Sequence, residues 1–207
     1  MAQIKLVKTA LSESEIFGGI KLPDNIGFIK SFKRGEAIDE IQDSVDCVGV
    51  ILSGLAFVAS MDRHNVTIAK TGHEFGICNI FVAEKMPTTL KAKIACKVLF
   101  IPKADFAELL AEDSALMFRY VRVCNEKMVY LARKLQLAGI PTCKGKLAYW
   151  LLENEGRKIP KDELARQLGI SRASLFRALS EFESAGLIEN SRIIKVIDSI
   201  GLKAYIC

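Results

Sequence analysis

The sequence predicts an α+β protein with three parts in chain order: a jelly-roll-like β-barrel, one long helix and a C-terminal winged helix-turn-helix. Three observations support this prediction. Residues 1–103 contain short apolar stretches separated by turn glycines, residues 104–138 contain no Gly or Pro, and residues 139–207 contain helical patterns followed by two short strand patterns. We expect these segments to be separate domains, the second one a dimerisation helix.

The composition of the 207 residues is that of a globular protein, with 50% hydrophobic residues and a net charge of +5. We find neither a signal peptide nor an apolar stretch near the roughly 20 residues of a membrane span, so we expect a cytoplasmic protein without a membrane partner. The six cysteines are spread singly. This spacing predicts reduced thiols, with cluster ligation or a redox switch as the alternatives.

Strand-like stretches in the first segment are rich in Val, Ile and Leu. Cys47–Ser60 is broken at Ser53-Gly54, Val66–Ala69 follows a polar turn at Met61–Asn65, and Ile94–Pro102 ends at its proline. Closely spaced short strands with turn glycines indicate a sandwich or a small barrel.

The second segment carries a heptad pattern. Apolar side chains alternate steps of four and three along it, at Met117, Val121, Cys124, Met128, Leu131, Leu135 and Ala138. This spacing predicts a helix over 115–138 that pairs with a second copy of the chain in a parallel homodimer, and Gly139 and Pro141 mark its end. The alternative is a helix packed on its own domain.

The third segment contains the spacing of a helix-turn-helix. Helical patterns cover Asp162–Leu168 and Ser171–Ser184. Ala165 is small enough for the helices to cross closely, Gly169 permits the turn, and Ser171 is a good N-cap. The alternative is an amphipathic helix pair in an unrelated α-rich domain.

The second of these helices has two distinct faces. One face is apolar (Leu175, Ala178, Leu179, Phe182), whereas the other carries two arginines and no acid. Six basic residues against two acidic ones over residues 157–177 add the positive charge that phosphate binding requires. We predict base contacts from Arg172 and Arg177, with Ser174 beside them. Phosphate contacts are predicted at Ser171, Lys161 and Arg192, the last in a β-hairpin wing formed by Leu187–Glu189 and Ile193–Ile197.

The order of the three parts resembles that of the CRP/FNR family (cyclic-AMP receptor protein and fumarate-nitrate reductase regulator) over essentially the whole chain. The stretches that carry the resemblance are Lys33–Glu36, Ile51–Gly54, Thr71–Gly76, Ala95–Val98 and, most specifically, Gly169–Arg172 with Arg177. The resemblance implies a bacterial transcriptional regulator with a cyclic-nucleotide-binding-like domain, which acts as a homodimer with RNA polymerase. Its target would be double-stranded DNA with two-fold symmetry and half-sites about 34 Å apart.

The region that corresponds to the effector pocket departs from the cyclic-nucleotide-binding members of that family. Ile77 stands where they carry a Glu for the ribose, and Met86-Pro87 stand where they carry an Arg-Ser pair for the phosphate. Without the guanidinium a cyclic phosphate loses a bidentate, charge-assisted contact, so cyclic AMP and cyclic GMP are disfavoured as effectors. The candidate effector pocket consists of Gly72, Gly76, Ile77, Cys78, Asn79, Met86, Pro87, Thr88, Thr89, Cys124 and Asn125.

Other cofactors of the family are also disfavoured, which leaves the effector unknown. The first 46 residues contain no cysteine for an iron–sulfur cluster, and the two histidines, His64 and His73, are expected at the surface and not on haem. No metal site is predicted. Cys78 and Cys124 near the pocket raise the hypothesis of a thiol sensor, with small apolar filling as the alternative.

Ala173 is a departure in the DNA-reading helix. Nucleotide-responsive members of the family carry a Glu at this place, directly after the arginine, where it can accept a hydrogen bond from cytosine. Alanine offers only apolar contact, for example to a thymine methyl group, so we expect a different half-site preference.

The sequence thus predicts a homodimeric, sequence-specific DNA-binding transcriptional regulator that is controlled by a small-molecule or redox signal other than cyclic AMP. Two alternatives stay open: an effector-independent regulator with a degenerate pocket, and a ligand-binding regulatory module that does not bind DNA. An enzyme is not expected, because the chain has no H-E-x-x-H, G-x-S-x-G or Walker-type pattern.

Overall fold

The computed structural model describes residues 2–23, 25–39, 46–60, 66–82 and 84–206. The chain divides into two compact units, residues 1–127 and residues 128–207. Each unit has its own hydrophobic core. The division at residues 103 and 138 that the sequence suggests stays a prediction. No helix in the described part of the chain is long and apolar enough to cross a membrane.

The first unit contains the β-structure, which forms two antiparallel sheets. Its strands are β1 (Phe28–Phe32), β2 (Cys47–Ser53), β3 (Ala56–Ser60), β4 (Val66–Ala69), β5 (Glu74–Phe75), β6 (Thr88–Ala92) and β7 (Cys96–Pro102). One sheet has the strand order β1-β7-β2-β5 and the other the order β4-β3-β6. The jelly-roll-like fold is confirmed, but the described strands form two separate sheets and not a closed barrel. The expected turn at Met61–Asn65 lies outside the described residues.

The central strand β2 is buried on both faces because it lies between two cores. Its alternate residues Val48, Val50 and Leu52 point into one core, whereas Cys47 and Ile51 point into the other. Successive side chains of a strand point to opposite sides of the sheet, so a strand that is covered on both sides must be apolar throughout. This explains the continuous Val, Ile and Leu content that marked the strand in the sequence.

A helix at the N-terminus, α1 (Ala2–Ser12), was not expected, and the prediction of strands alone for residues 1–103 is wrong there. Its residues Val7, Ala10 and Leu11 follow helical spacing and pack into the core that contains β2. Directly after α1, the backbone N–H of Ile16 donates to Oε1 of buried Glu74 at 2.9 Å. The turn after the helix is therefore fixed to strand β5.

The stretch 104–138 forms two helices, α2 (Lys103–Glu112) and α3 (Ser114–Gly139), where the sequence suggested a single one. The break lies at Asp113, whose backbone is extended. Its Oδ1 accepts from the backbone N–H groups of Ala115 at 2.8 Å and Leu116 at 3.0 Å. Because a carboxylate in this position satisfies the free N–H groups at a helix start, Asp113 begins a new helix. The 26 residues of α3 span about 39 Å.

The second unit is helical apart from one β-hairpin. It contains α4 (Cys143–Glu153), α5 (Lys161–Leu168), α6 (Arg172–Ser184), β8 (Ile188–Asn190), β9 (Ile194–Val196) and a short α7 (Ser199–Lys203). Strands β8 and β9 are antiparallel and form the expected wing. The core of this unit includes Leu147, Leu164, Leu175, Phe182 and Leu202, all with 0% exposure. Helix α7 was not expected from the sequence.

Candidate nucleic-acid interface

The turn between α5 and α6 is built by the residues that suggested it. Helix α5 ends at Gly169, which has φ 65° and ψ 36° in the left-handed region. A side chain there would be strained, whereas glycine adopts this conformation freely. Helix α6 begins after Ser171, whose side-chain oxygen accepts from the backbone N–H of Ser174 at 3.0 Å. Both the C-terminal glycine of α5 and the serine N-cap of α6 are thereby confirmed.

The inner face of α6 fixes the orientation of this helix. Leu175, Ala178, Leu179 and Phe182 are buried, as the spacing predicts, and they pack with Leu164, Ala165 and Leu168 of α5. Burial of a Leu or Phe side chain contributes about 1.5–3 kcal/mol. Rotation of α6 about its axis would expose several of these side chains together. The opposite face is therefore held outward.

That outward face is exposed to solvent. Arg172, Ala173, Arg177 and Ser180 are exposed, and Phe176 is 50% exposed. Ser171 is also exposed, and Ser174 is half-buried at the edge of this surface. We call Ser171, Arg172, Ala173, Phe176 and Arg177 the reading face. It combines two long cations, two apolar side chains and the N-terminus of a helix, the groups that contact base edges and phosphates.

The two arginines of the reading face differ in their surroundings. Arg172 forms an ion pair with Asp162 of α5, and the two side chains are 69% and 61% exposed. On the neighbouring turn Arg166 pairs with Glu163. Within the described residues no ion pair involves Arg177. The pairing of Arg172 was missed because Asp162 is ten positions away and meets it only through the geometry of the turn.

Lys161 and Arg192, two of the predicted phosphate contacts, belong to α5 and to the wing. Arg192 is exposed in the turn between β8 and β9. Lys161, at the start of α5, donates from its Nζ to Oδ1 of Asn190 at the end of β8. Burial lowers the pKa of Lys161 below its ordinary value. Lys161 is thus bonded to the wing in the protein alone, a contact that the sequence did not suggest.

The residues of the candidate effector pocket are only partly brought together. A small pocket in the first unit is lined by Asp39, Val58, Phe75, Gly76, Asn79, Met86, Thr88 and Leu90. Four of these were candidates, namely Gly76, Asn79, Met86 and Thr88. The candidates that do not line it are Gly72, Ile77, Cys78, Pro87, Thr89, Cys124 and Asn125. Ile77 is 2% exposed and belongs to the core, and Cys78, Pro87 and Asn125 are exposed.

The chemistry of this pocket is unsuited to an anion. Asp39 is the charged residue among the described residues that line the pocket, and Met86 and Thr88 contribute no charge. The side-chain amide of Asn79 donates to the carbonyl of Glu84 at 3.1 Å, so its oxygen is the free end. Oδ1 of Asn79 and Oδ1 of Asp39 are buried without a hydrogen-bond partner among the described residues. A cyclic phosphate would meet acceptors and a carboxylate here, and the residues do not fit it.

The histidines and possible metal ligands give no site. The expectation that His73 lies at the surface is wrong, because it is half-buried and burial lowers its pKa. His64 lies outside the described residues. In the described part of the chain no three His, Cys, Asp or Glu side chains are grouped to hold a metal ion.

The predicted heptad seam of α3 is largely uncovered in the single chain. Met117, Val121, Met128, Leu131 and Leu135 are 39%, 44%, 65%, 58% and 76% exposed. Cys124, in the middle of the seam, is half-buried. The side of α3 that packs on its own unit uses different positions, including Leu116 and Val123. Exposed apolar side chains in such a row mark a surface that another apolar surface covers.

Comparison with known proteins matches the two parts of the chain to two family models. Residues 29–113 match a cyclic nucleotide-binding domain and residues 145–205 match a Crp-like helix-turn-helix domain. The sequence has no match among curated proteins.

Solved structures with the same fold include the catabolite activator protein of Thermus thermophilus, which is 16% identical with a TM-score of 0.50. That alignment covers 98% of this chain and 94% of the other. A mutant of CooA from Carboxydothermus hydrogenoformans is 16% identical over 87% of this chain and 88% of its own, with a TM-score of 0.54. CprK complexed with OCPA is 12% identical over 86% and 88%, also with a TM-score of 0.54.

These structural likenesses concern the fold alone, while the two family models concern the sequence of both parts. Together with the helix-turn-helix geometry and the two-sheet N-terminal unit, they identify the relationship. The chain belongs to the CRP/FNR family of DNA-binding transcriptional regulators, because its two parts match a cyclic nucleotide-binding domain and a Crp-like helix-turn-helix domain.

Proposed function

We propose that the protein binds double-stranded DNA in the cytoplasm as a homodimer, reads a two-fold symmetric site with the reading face of α6, and regulates transcription by RNA polymerase. A signal other than a cyclic nucleotide controls it. The observation that carries the proposal is the division of α6 into a buried inner face and an exposed outer face with two arginines.

Contacts to bases come from exposed side chains of the reading face. Arg177 and Arg172 can each donate two hydrogen bonds to O6 and N7 of a guanine in the major groove. Ala173 and Phe176 add apolar surface that suits a thymine methyl group. Ser171 at the helix start and Arg192 in the wing are suited to backbone phosphates, which fix the register of the protein on the duplex.

Arg172 must change its partner when DNA binds. Its guanidinium is paired with Asp162, and both side chains are more than half exposed. An exposed pair of this kind is worth about 0.2–1 kcal/mol, less than the about 1–3 kcal/mol of a bidentate base contact. The exchange is therefore favourable, and Asp162 reduces the affinity without preventing binding.

The homodimer is supported by the exposed seam of α3. The five seam positions are 39–76% exposed on each chain, so pairing of two such helices removes apolar surface from water, which favours association. Two helices paired in parallel around a two-fold axis present two reading faces to one side of a duplex. Half-sites would then lie about 34 Å apart, one helical turn of DNA.

A signal received by the first unit can act through α3, because this helix contains residues of both units. Repacking of its N-terminal turns would bias the seam between two arrangements and thereby the presentation of the reading faces. The absence of a cation among the described residues of the pocket argues against an anionic effector.

A second candidate function is an effector-independent regulator. The pocket encloses about 50 Å³, whereas small-molecule sites enclose roughly 300–1,000 Å³. Ile77, which stands at a candidate pocket position, is buried in the protein's own core. If affinity for DNA were unchanged by cell extract and by oxidants, this second function would be favoured over the first.

The proposal is tested by selecting bound duplexes from a random pool with the purified, reduced full-length chain. We expect an inverted repeat, and we expect log K to fall linearly with log salt with a slope of about −0.9 for each phosphate contact. Arg34→Ala, a change of an exposed arginine in the first unit, serves as the matched control for Arg177→Ala. No enriched sequence and no binding at low salt would contradict DNA binding and favour a module that binds only ligand or protein.

A further inference from the structure

The loop that follows β5 is hydrogen-bonded to α3 through one backbone carbonyl group, that of Ile77. The hydroxyl of Tyr120 donates to the carbonyl oxygen of Ile77 at 3.0 Å, and the thiol of Cys124 lies 4.0 Å from the same oxygen. Both Tyr120 and Cys124 belong to α3. The residue bonded to this carbonyl group is Cys78, so the backbone of Cys78 lies directly beside the Cys124 thiol.

Aromatic packing holds the loop in this place. Phe81 meets Tyr120 edge-on with ring centres 6.1 Å apart, and Tyr120 meets Phe106 at 5.4 Å. Phe81 also stacks on Phe106 at 6.2 Å. Aromatic pairs in this geometry contribute about 0.5–1.5 kcal/mol each beyond their buried area. The packing of Phe81 on Tyr120 and Phe106 therefore holds the loop, and with it Cys78, beside α3. This placement does not require a bond between the cysteines.

Cys78 and Cys124 are neighbours at this carbonyl group, whose oxygen lies 4.0 Å from the Cys124 sulfur, and the Cys78 side chain acts electrostatically on the Cys124 thiol. Cys78 is exposed and Cys124 is half-buried. The surroundings of other described cysteines differ. Cys47 and Cys96 are buried in the core between the sheets, and Cys143 lies at the start of α4 in the second unit. Burial raises the pKa of the Cys124 thiol, so the exposed Cys78 is the thiol that an oxidant meets first.

We propose that Cys78 and Cys124 form a peroxide-sensitive thiol pair. Their disulfide would bond Cys124 of α3 covalently to the loop after β5 of the same chain, remove Cys124 from the helix seam and thereby weaken DNA binding. The inference rests on the proposed DNA-binding function and names its signal. Cys124 lies between Val121 and Met128 in the seam, so a covalent bond at this position competes with pairing of the two α3 helices.

The reaction uses hydrogen peroxide as the oxidant. The Cys78 thiol loses its proton, the thiolate attacks one peroxide oxygen and the O–O bond breaks, which gives Cys78 sulfenic acid and a leaving hydroxide that takes up the released proton as water. The Cys124 sulfur then attacks the Cys78 sulfur, the S–O bond breaks, and the leaving hydroxide takes up the Cys124 proton to give a second water. Two thiols are oxidised by two electrons, and one peroxide is reduced to two waters. An S–S bond of about 2.05 Å then joins the two sulfurs.

Mass spectrometry of the full-length chain tests the chemistry without DNA. After treatment with hydrogen peroxide and blocking of free thiols, trypsin should release residues 71–85 linked to residues 123–127, and dithiothreitol should separate them. The protein should stay un-crosslinked between chains on a non-reducing gel. Absence of this linked peptide, or a covalent dimer through Cys78 and Cys124 in its place, would overturn the inference.

Fluorescence anisotropy with the selected duplex tests the consequence. Peroxide should lower the affinity of the wild type by about tenfold, within the range of allosteric couplings, and dithiothreitol should restore it. Cys78→Ser and Cys124→Ser should abolish the response, whereas Cys143→Ser, which removes an exposed thiol elsewhere, should keep it. A response that persists in Cys78→Ser, or a cross-link without loss of affinity, would overturn the inference. Reduced wild type that binds no duplex would refute the DNA-binding proposal, and the linked peptide would still decide whether the thiol pair exists.

Discussion

Replacement of Asp162 by Asn should strengthen binding to the selected DNA site, although it removes an ion pair from the free protein. Asp162 competes with DNA for Arg172, and its carboxylate repels phosphates. Because the two side chains are 61% and 69% exposed, we take the range for exposed pairs, about 0.2–1 kcal/mol. A gain of that size corresponds to roughly 1.5- to 5-fold tighter binding.

The competition is isolated by a double-mutant cycle. Arg172→Ala should cost about 0.2–1 kcal/mol more binding free energy in the Asp162→Asn background than in the wild type, because there the arginine has no pair to break. Glu163→Gln is the matched control, since it changes the same charge on the same turn but faces Arg166. Each dissociation constant is measured by anisotropy at one fixed salt concentration.

Two results would refute this reasoning. If Glu163→Gln tightens binding as much as Asp162→Asn does, the effect is one of net charge alone. If the cost of Arg172→Ala is the same in both backgrounds, Asp162 does not compete for the arginine. Unfolding of Asp162→Asn is measured in parallel, because an acid in the first turn of a helix contributes about 0.3–1 kcal/mol to its stability.

The remaining predictions concern the dimer, the core and the pH dependence of stability. Leu131→Glu in the seam should give a monomer in sedimentation and at least roughly tenfold weaker DNA binding. Val129→Glu, which changes an exposed apolar position off the seam, should stay dimeric. The same oligomeric state for both variants would contradict the assignment of the seam as the dimer interface. Leu175→Ala should lower the free energy of unfolding by about 2–5 kcal/mol, because Leu175 has 0% exposure, and a loss under 1 kcal/mol in denaturant unfolding would contradict its place in the core. Burial lowers the pKa of His73 in the folded protein from its ordinary value of 6.5. The unfolded chain therefore binds a proton at His73 at a higher pH than the folded chain does. The stability contributed by neutral His73 is present above the pKa of the unfolded chain and is lost as the pH falls through it. His73→Gln should therefore lose less stability than the wild type between pH 7 and 5, and parallel curves would contradict the shift.

Local patterns predicted the second unit well, because each of its signals acts within a few residues. Gly169 is needed for a left-handed backbone and Ser171 for a helix start, and both requirements are visible in the sequence. The alternation in β2 was visible only as a continuous apolar run, since both faces of this strand are covered. Which strands pair with each other, and which strand edges stay unpaired, depends on residues far apart in the sequence. Local sequence patterns therefore did not predict it.

The parts that the sequence did not predict are those set by tertiary contacts. Helix α1 is stabilised by packing on β2, so its weak helical spacing at Val7, Ala10 and Leu11 was overlooked. The break at Asp113 required recognition of a carboxylate as a helix start. Of the pocket residues, Asp39 and Val58 come from segments outside the stretch from Gly72 to Thr89, in which most of the candidates lie.

Charge pairing on the DNA-binding surface was also beyond the sequence. A count of six basic and two acidic residues over 157–177 describes the surface as a basic patch. In the structure, both acids are paired with arginines, Asp162 with Arg172 and Glu163 with Arg166. The reading face therefore has one arginine already engaged and one without an ion pair among the described residues, which distinguishes the expected roles of Arg172 and Arg177.

The central claim is that the outward face of α6 reads bases. It is tested most directly by the dissociation constants of wild type and Arg177→Ala for the selected duplex and for a scrambled duplex of equal length. We expect a loss of about 1–3 kcal/mol on the selected duplex and almost none on the scrambled one. Equal losses on both duplexes would reduce Arg177 to a phosphate contact, and no loss on either would contradict the assignment of this face to DNA.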